Sequence, residues 1–353
     1  MSQQTDKAAP RPDRLFHLDI LRVVAAFGIV VLHVSASATV RAEGPSSADW
    51  WIANLFDSAT RWSLPAFVLV SGALLLHRGR EDLLVFYKKR LSRIFIPTVS
   101  WSVLFLAWEG YSGRLTGASL ADRLLHGMPS HHMWFLFMIC GLYLFTPALR
   151  AFVGAATPQE RLWTLVIMFV LSSAYHAVLI LGRGTSQPTI LTLFVPYFAY
   201  YVCGYHLKAL GPGRTPLLPL LGAAAFGVLT VAGGTGLLLD CLGRPQGYYL
   251  YNYFSPPVIL TAIAMFQATA RLGELPFCAH PWVRSAVSRL APATLGIYLM
   301  HVPLFSISRK IPGMNWLTQM PLVSIPLISI SVFAVCYLAT DAIRKIPFVR
   351  RIV

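Results

Sequence analysis

The sequence has few charged residues, and acidic residues are the scarcer kind. Charged side chains make up 12% of the 353 residues, whereas soluble domains average about 25%. There are 14 Asp and Glu against 29 Lys and Arg, and 56% of the chain is hydrophobic. This composition excludes a disordered chain, a coiled coil and nearly every soluble enzyme. It predicts a protein with many membrane-spanning helices.

Cysteine is also scarce, and internal repeats are missing. The five cysteines include no pair with the spacing of a zinc site. So few cysteines in so long a chain exclude a disulfide-rich scaffold. We interpret them as small apolar residues and expect no metal site. The missing repeat disfavours a transporter built from inverted halves.

Ten apolar runs are each long enough to cross the ~30 Å hydrocarbon core as a helix. The segments between them are too short to hold a soluble domain. We therefore predict an all-α polytopic membrane protein with a single membrane domain over residues 15–343. Residues 1–14 are predicted to form a flexible tail, and residues 344–353 a basic one. The ten runs are 15–38, 50–76, 94–112, 132–153, 161–181, 190–207, 215–239, 250–270, 290–308 and 321–343.

The positive residues are unevenly divided between the two sides of the predicted bundle. With the N-terminus inside, 20 of the 29 Lys and Arg fall in inner segments and 7 in outer ones, while Arg22 and Arg61 lie within spans. Positive residues accumulate on the cytoplasmic side of membrane proteins. We therefore predict that both termini are cytoplasmic. The net charge of +15 then follows from topology and requires no nucleic-acid partner.

The first span contains ionisable side chains, which are costly in a membrane at about 2.5 kcal/mol upward. Arg22 and His33 are eleven residues apart, so they share one helical face, separated by about 16 Å along the axis. Asp19 lies one turn before Arg22 and can pair with it. Snorkelling of Arg22 to the inner interface explains Arg22 but not His33. The ordinary pKa of histidine suits His33 for proton transfer.

Further histidines are expected at a similar depth near the outer face. His131 and His132 open the fourth run, and His301 lies within the ninth. Each alone is typical of a hydrogen-bonded interfacial or core residue. Together they predict a polar cavity that opens outward. Trp134 and the aromatic segment 248–252 fit either an interfacial aromatic belt or a surface for stacking a sugar ring.

The segment between the second and third runs is strongly basic. Arg90 and Arg93 share one helical face just below the predicted bilayer. Their guanidinium groups can make bidentate contacts with phosphate oxygens. Two interpretations stay open, namely contact with anionic lipid headgroups and binding of a soluble phosphorylated cofactor.

Five segments in chain order resemble the motifs of the membrane acyltransferase-3 family, and together they extend over the predicted membrane domain. The closest resemblance is to the branch typified by the enterobacterial common antigen O-acetyltransferase. Met133 stands where the family usually has Leu. The matching positions are Arg22 with His33 in an Arg-x10-His pattern, then Pro65, Phe67, Ser71 and Gly72, then Arg90, Arg93 and Pro97, then the segment that begins at His132, and last Gly296, Ile297, Tyr298 and His301.

The resemblance implies a multi-pass O-acyltransferase of the bacterial inner membrane. It implies acetyl-CoA as the donor and a hydroxyl of an envelope polysaccharide or lipid-linked glycan as the acceptor. In this hypothesis Arg90, Arg93 and Lys89 hold the phosphates of CoA, and the thiol-bearing arm passes Arg22. No metal takes part.

We expect His33 and Arg22 to be the catalytic residues. His33 would take the proton of the acceptor hydroxyl, or carry the acyl group covalently. A donor of hydrogen bonds or positive charge must stabilise the oxyanion that forms. The candidates for this role and for contact with the acceptor are Arg61, His132, Tyr298 and His301.

Other functions remain open on the sequence alone. A transporter or flippase of glycan intermediates could use intramembrane Arg22, His33 and His301 as a relay. A transferase of the same family could use succinyl-CoA or an acceptor other than a glycan. The oligomeric state is not predicted.

Overall fold

The protein is a bundle of helices without β-strands in the part of the chain that the structure describes. The structure is a computed structural model that describes residues 16–42, 44–77, 81–113, 115–185, 188–211, 215–309 and 320–353. Seven helical segments in this part are long and apolar enough to cross a membrane. The prediction of an all-α polytopic membrane protein is therefore confirmed. The predicted tail of residues 1–14 lies outside the described residues, as do Arg78 and Arg80 of the basic segment.

Fourteen α-helices follow one another along the described residues, joined by turns and by short 3-10 segments. The helices are α1 (Phe16–Arg41), α2 (Ala48–Thr60), α3 (Ser63–Leu75), α4 (Leu83–Tyr111), α5 (Gly117–Leu125), α6 (Trp134–Ala155), α7 (Pro158–Arg183), α8 (Phe198–Leu210), α9 (Leu217–Leu242), α10 (Pro256–Leu272), α11 (Pro276–Ala279), α12 (Pro281–Leu290), α13 (Thr294–Ser308) and α14 (Pro321–Lys345).

Every predicted apolar run contains helix, but several runs are not single long helices, and residues 190–197 form turns. The run 50–76 divides into α2 and α3, because Pro65 has no N–H to bond the carbonyl of Arg61. Helix α8 has 13 residues and α10 has 17, short of the ~20 that a perpendicular crossing needs. The number of crossings and the cytoplasmic position of the termini stay predictions.

Helix α1 and the segment Pro281–Ser308 are the most buried of the seven long segments, and α7 is the least buried. Helix α1 packs against α2, α3, α13 and α14. Ionisable side chains inside a membrane protein belong on helices that face the bundle interior rather than lipid. Arg22 and His33 on α1, and His301 on α13, meet this condition.

Helices α3 and α8 approach each other through a pair of glycines. A Cβ at Gly72 would overlap the backbone carbonyl of Tyr201, and one at Gly204 would overlap that of Leu69. Small residues let helix backbones pack closely in membranes, where lipid chains provide no hydrophobic drive for association. The contact holds α3 in place, and α3 lines the cavity described below.

The C-terminal residues pack against the bundle. Helix α14 extends through Arg344 to Lys345, so the predicted basic tail begins inside a helix. Val349–Ile352 then form a 3-10 turn, which we call the C-terminal turn. This turn packs against α4 and α14.

Candidate active site

A cavity of about 760 Å³ enters one end of the bundle between α1, α3, α4, α6 and α13. Its size is within the range of about 300–1,000 Å³ that is usual for small-molecule sites. Arg22, Arg90 and Arg93 all line this cavity, so three of the predicted cofactor-binding residues come together. Lys89 is exposed on α4 and is not among the lining residues.

Arg22 is held in the cavity wall by contacts from two helices. Its Nη1 lies 3.5 Å from Oδ1 of Asp19, which confirms the predicted pairing. Its Nη2 donates to Oγ1 of Thr294 at 3.4 Å. Helix α1 continues without a break from Arg22 to His33, so the spacing of about 16 Å inferred from helical geometry applies.

Arg90 and Arg93 are placed by the start of α4. Asp82 caps this helix, and its side chain accepts from the backbone N–H of Val85 at 3.0 Å. An aspartate in this position satisfies one of the free N–H groups of the first turn. The helix therefore starts before the basic residues, and an i, i+3 spacing turns Arg90 and Arg93 to the same face.

Four histidines form a cluster beyond the inner end of the cavity. The ring centroid of His33 lies 4.9 Å from that of His301 and 5.2 Å from that of His131. His132 and His301 are 5.3 Å apart. His131 is exposed, whereas His132 and His301 are buried. The cluster therefore reaches the surface at the end of the bundle opposite the arginines.

The protonation of His301 follows from its hydrogen bond. Its Nδ1 lies 2.5 Å from the carbonyl oxygen of Tyr298. A carbonyl can only accept, so Nδ1 carries the proton and Nε2 of the neutral ring has a free lone pair. Nε2 of His301 and Nε2 of His132 are both buried without a hydrogen-bond partner among the described residues. Buried polar atoms of this kind are usually satisfied by a ligand or a water.

Two aromatic rings separate the cavity from the histidine cluster. Phe135 and Tyr298 line the cavity, and their ring centroids are 5.2 Å apart. On the other side the ring of Tyr298 lies 5.7 Å from His132 and 5.6 Å from His301. The Tyr298 hydroxyl donates to the His132 carbonyl, which ties α13 to the start of α6. We call this pair the ring layer.

A buried ion pair lies at the junction of α2 and α3. Nε of Arg61 is 2.6 Å from Oδ1 of the fully buried Asp57. The Arg61 guanidinium also lies 4.0 Å above the ring of Tyr251. The Tyr251 hydroxyl donates to Oδ1 of Asn54 at 2.6 Å.

Arg61 is among the residues predicted from the sequence, whereas no role was predicted for Asp57. The available signal was the i, i+4 spacing of two opposite charges in a run that is otherwise apolar. Because breaking a buried pair leaves an uncompensated charge, the two residues act as one unit.

A second cavity of about 580 Å³, which we call the aromatic cavity, has several aromatic rings among its lining residues. The centroid of Trp134 lies 6.0 Å from that of Tyr253 and 6.3 Å from that of Phe135. Asn252 and His176 add polar groups to the wall. Trp134 lies two residues after His132 and contacts Phe135 of the ring layer, but none of the four clustered histidines lines this cavity.

Metal-binding geometry is not found in the described part of the chain. No group of three or more His, Cys, Asp or Glu residues there could hold a metal ion.

Comparison with known proteins gives one match. A family model described as an acyltransferase domain matches residues 16–341. The matched region includes the ring layer, the four histidines and the cavity arginines up to Arg93. No curated protein and no solved structure matches the chain.

Proposed function

The chain belongs to the acyltransferase-3 family, and we propose that it moves an acetyl group from acetyl-CoA to a hydroxyl of a cell-envelope glycan. Family membership supports a membrane acyltransferase. The donor, the acceptor and the location in a bacterial inner membrane are our proposal. The observation that carries it is a single cavity that joins the arginines of α4 to the ring layer beneath the histidines.

The donor enters from the arginine end of the bundle. Arg90 and Arg93 bind phosphate oxygens, which suits the forked geometry of guanidinium groups. The narrow thiol-bearing arm extends along the cavity past Arg22 toward Phe135 and Tyr298. With the predicted topology this end faces the cytoplasm, where acetyl-CoA is made.

The transfer itself takes place beside the histidine cluster. His33 accepts the proton of the acceptor hydroxyl while the hydroxyl oxygen bonds to the thioester carbonyl carbon. The carbon–sulfur bond then breaks, and the thiolate takes the proton back from His33 to leave as free CoA. Arg61 is the candidate for stabilising the oxyanion, because its guanidinium lies at the junction of α2 and α3, which both pack against the helix that carries His33.

The acceptor approaches through the aromatic cavity. Trp134 and Tyr253 present ring faces against which a sugar can stack, and Asn252 offers an amide for its hydroxyls. The glycan would enter from the side opposite the donor, so the two substrates meet at the histidines.

The test uses purified full-length protein in lipid nanodiscs with radiolabelled acetyl-CoA and extracted envelope glycans. Wild-type protein should transfer label to the glycan, and His33→Gln should not. His77→Ala is the matched control, since His77 is exposed after α3 and lies away from the cluster. Mass spectrometry of glycans from deletion and complemented cells should show loss and return of one acetyl group per site. A carrier would move glycan without transferring label, and that result would contradict the proposal.

A further inference from the structure

The C-terminal turn forms part of the wall of the donor cavity. Trp101 of α4 donates its indole N–H to the carbonyl of Ile352 at 2.9 Å. This contact joins residues 251 positions apart. It holds the turn at the mouth of the cavity, and Arg350, Arg351 and Val353 are among the lining residues.

The cavity lining is strongly cationic. Arg344, at the end of α14, adds to the two arginines of the turn. Six arginines and no Asp or Glu belong to the described residues that line the cavity, namely Arg22, Arg90, Arg93, Arg344, Arg350 and Arg351. A concave site with charge of one sign concentrates ligands of the opposite sign.

The proposed donor carries more negative charge than the two cavity-lining arginines of α4 can balance. A phosphate monoester alone carries about 1.5 to 2 negative charges at pH 7. Coenzyme A carries such a group and a diphosphate bridge besides. The guanidinium groups of Arg90 and Arg93 cannot balance this charge, whereas the arginines of the C-terminal turn lie in the same wall.

We propose that Arg350 and Arg351 bind phosphate groups of the coenzyme A donor, so that the C-terminal turn is a structural part of the donor site. This inference rests on the proposed function. The family match ends at residue 341, so the turn lies beyond the region that family membership explains. Both side chains are exposed at the mouth of the cavity and are accessible to a soluble ligand.

The phosphate groups of anionic lipids share this chemistry, and the experiment must separate the two sources. Calorimetry should measure CoA binding to full-length protein in nanodiscs of phosphatidylcholine alone, and again with phosphatidylglycerol added. Arg350→Gln with Arg351→Gln is the test variant. Arg289→Gln is the control, because Arg289 at the end of α12 is an exposed arginine that is not among the cavity-lining residues.

The double variant should bind CoA about tenfold or more weakly, because hydrogen bonds between charged groups are lost. The control should bind like wild type, and the difference should persist in nanodiscs without anionic lipid. Arg350→Lys with Arg351→Lys should keep most of the affinity. If the lysine variant lost as much CoA affinity as the glutamine variant, the packing of the turn would matter rather than its charge. That result would overturn the inference.

Two further results would also overturn it. One is unchanged CoA binding by the glutamine variant, and the other is an effect confined to anionic nanodiscs. The proposed function fails in a different way, because wild-type protein would then bind no CoA in either lipid.

Discussion

Replacement of His33 by glutamine is the sharpest test of the site. Glutamine keeps a hydrogen-bonding side chain on the same face of α1 but cannot accept a proton at neutral pH. His33 lies in ring contact with His131 and His301 and is not among the residues that line the donor cavity. If the proposed mechanism holds, the change should therefore act on the chemical step and leave the binding of the donor intact.

The expected size of the effect follows from general base catalysis. A positioned base contributes about 10²- to 10⁴-fold to the rate, which corresponds to about 2.7–5.4 kcal/mol of activation free energy. Because the ring layer lies between the cavity and the histidines, the KM for acetyl-CoA should stay within about twofold of wild type while kcat falls.

The assay is initial-rate transfer of labelled acetyl groups at several acetyl-CoA concentrations, with protein amounts matched by in-gel fluorescence. His301→Gln is the comparison variant, because Nε2 of His301 is one of the buried nitrogens without a described partner and its ring contacts that of His33. Full activity of His33→Gln would refute the assignment. The assignment would also be refuted if kcat fell 10²-fold in His301→Gln but not in His33→Gln, since His301 would then be the base. A change in KM without a change in kcat would place His33 in the donor site instead.

Three further predictions follow from the described contacts. The double variant Arg90→Gln with Arg93→Gln should raise the KM for acetyl-CoA about tenfold or more, because charge-assisted phosphate contacts are lost. Lys89→Gln is the control, and its KM should equal that of wild type because Lys89 does not line the cavity. Gly72→Val should lower the thermal unfolding midpoint in detergent, because the added side chain overlaps the backbone of α8. Overpacking of this kind destabilises a protein by about 1–3 kcal/mol. An unchanged midpoint would contradict the close packing of α3 and α8. Asp57→Asn should lower the free energy of unfolding by about 3–5 kcal/mol, since it leaves a buried guanidinium unpaired. Chemical unfolding measures this change. Stability equal to that of wild type would show that the pair is not buried in the functional protein.

Features that depend on local periodicity could be predicted from the sequence. The shared face of Arg22 and His33 needs only an unbroken helix, and α1 provides one. The pairing of Asp19 with Arg22 is an i, i+3 contact within the same helix. Arg90 and Arg93 reach one cavity wall for the same reason.

Features that depend on tertiary contacts could not be predicted in this way. The ring layer needs α6 and α13 to meet, and the bond from the Tyr298 hydroxyl to the His132 carbonyl has no counterpart in local sequence. The C-terminal turn depends on Trp101, which is distant along the chain. Hydropathy also missed the division of the second run, because Pro65 changes hydrogen bonding without lowering the apolar character of the segment.

The ring layer bears on how the two substrates meet. In the proposed mechanism, donor and acceptor approach from opposite ends, yet the thioester must contact the hydroxyl whose proton His33 accepts. A permanently open channel would admit water from the exposed His131 side to the thioester, and water would compete with the glycan as nucleophile. Phe135 and Tyr298 stand at this boundary, and the hydroxyl of Tyr298 is anchored to the same segment that carries His131 and His132. The arrangement therefore couples the barrier to the residues that an arriving acceptor would contact first.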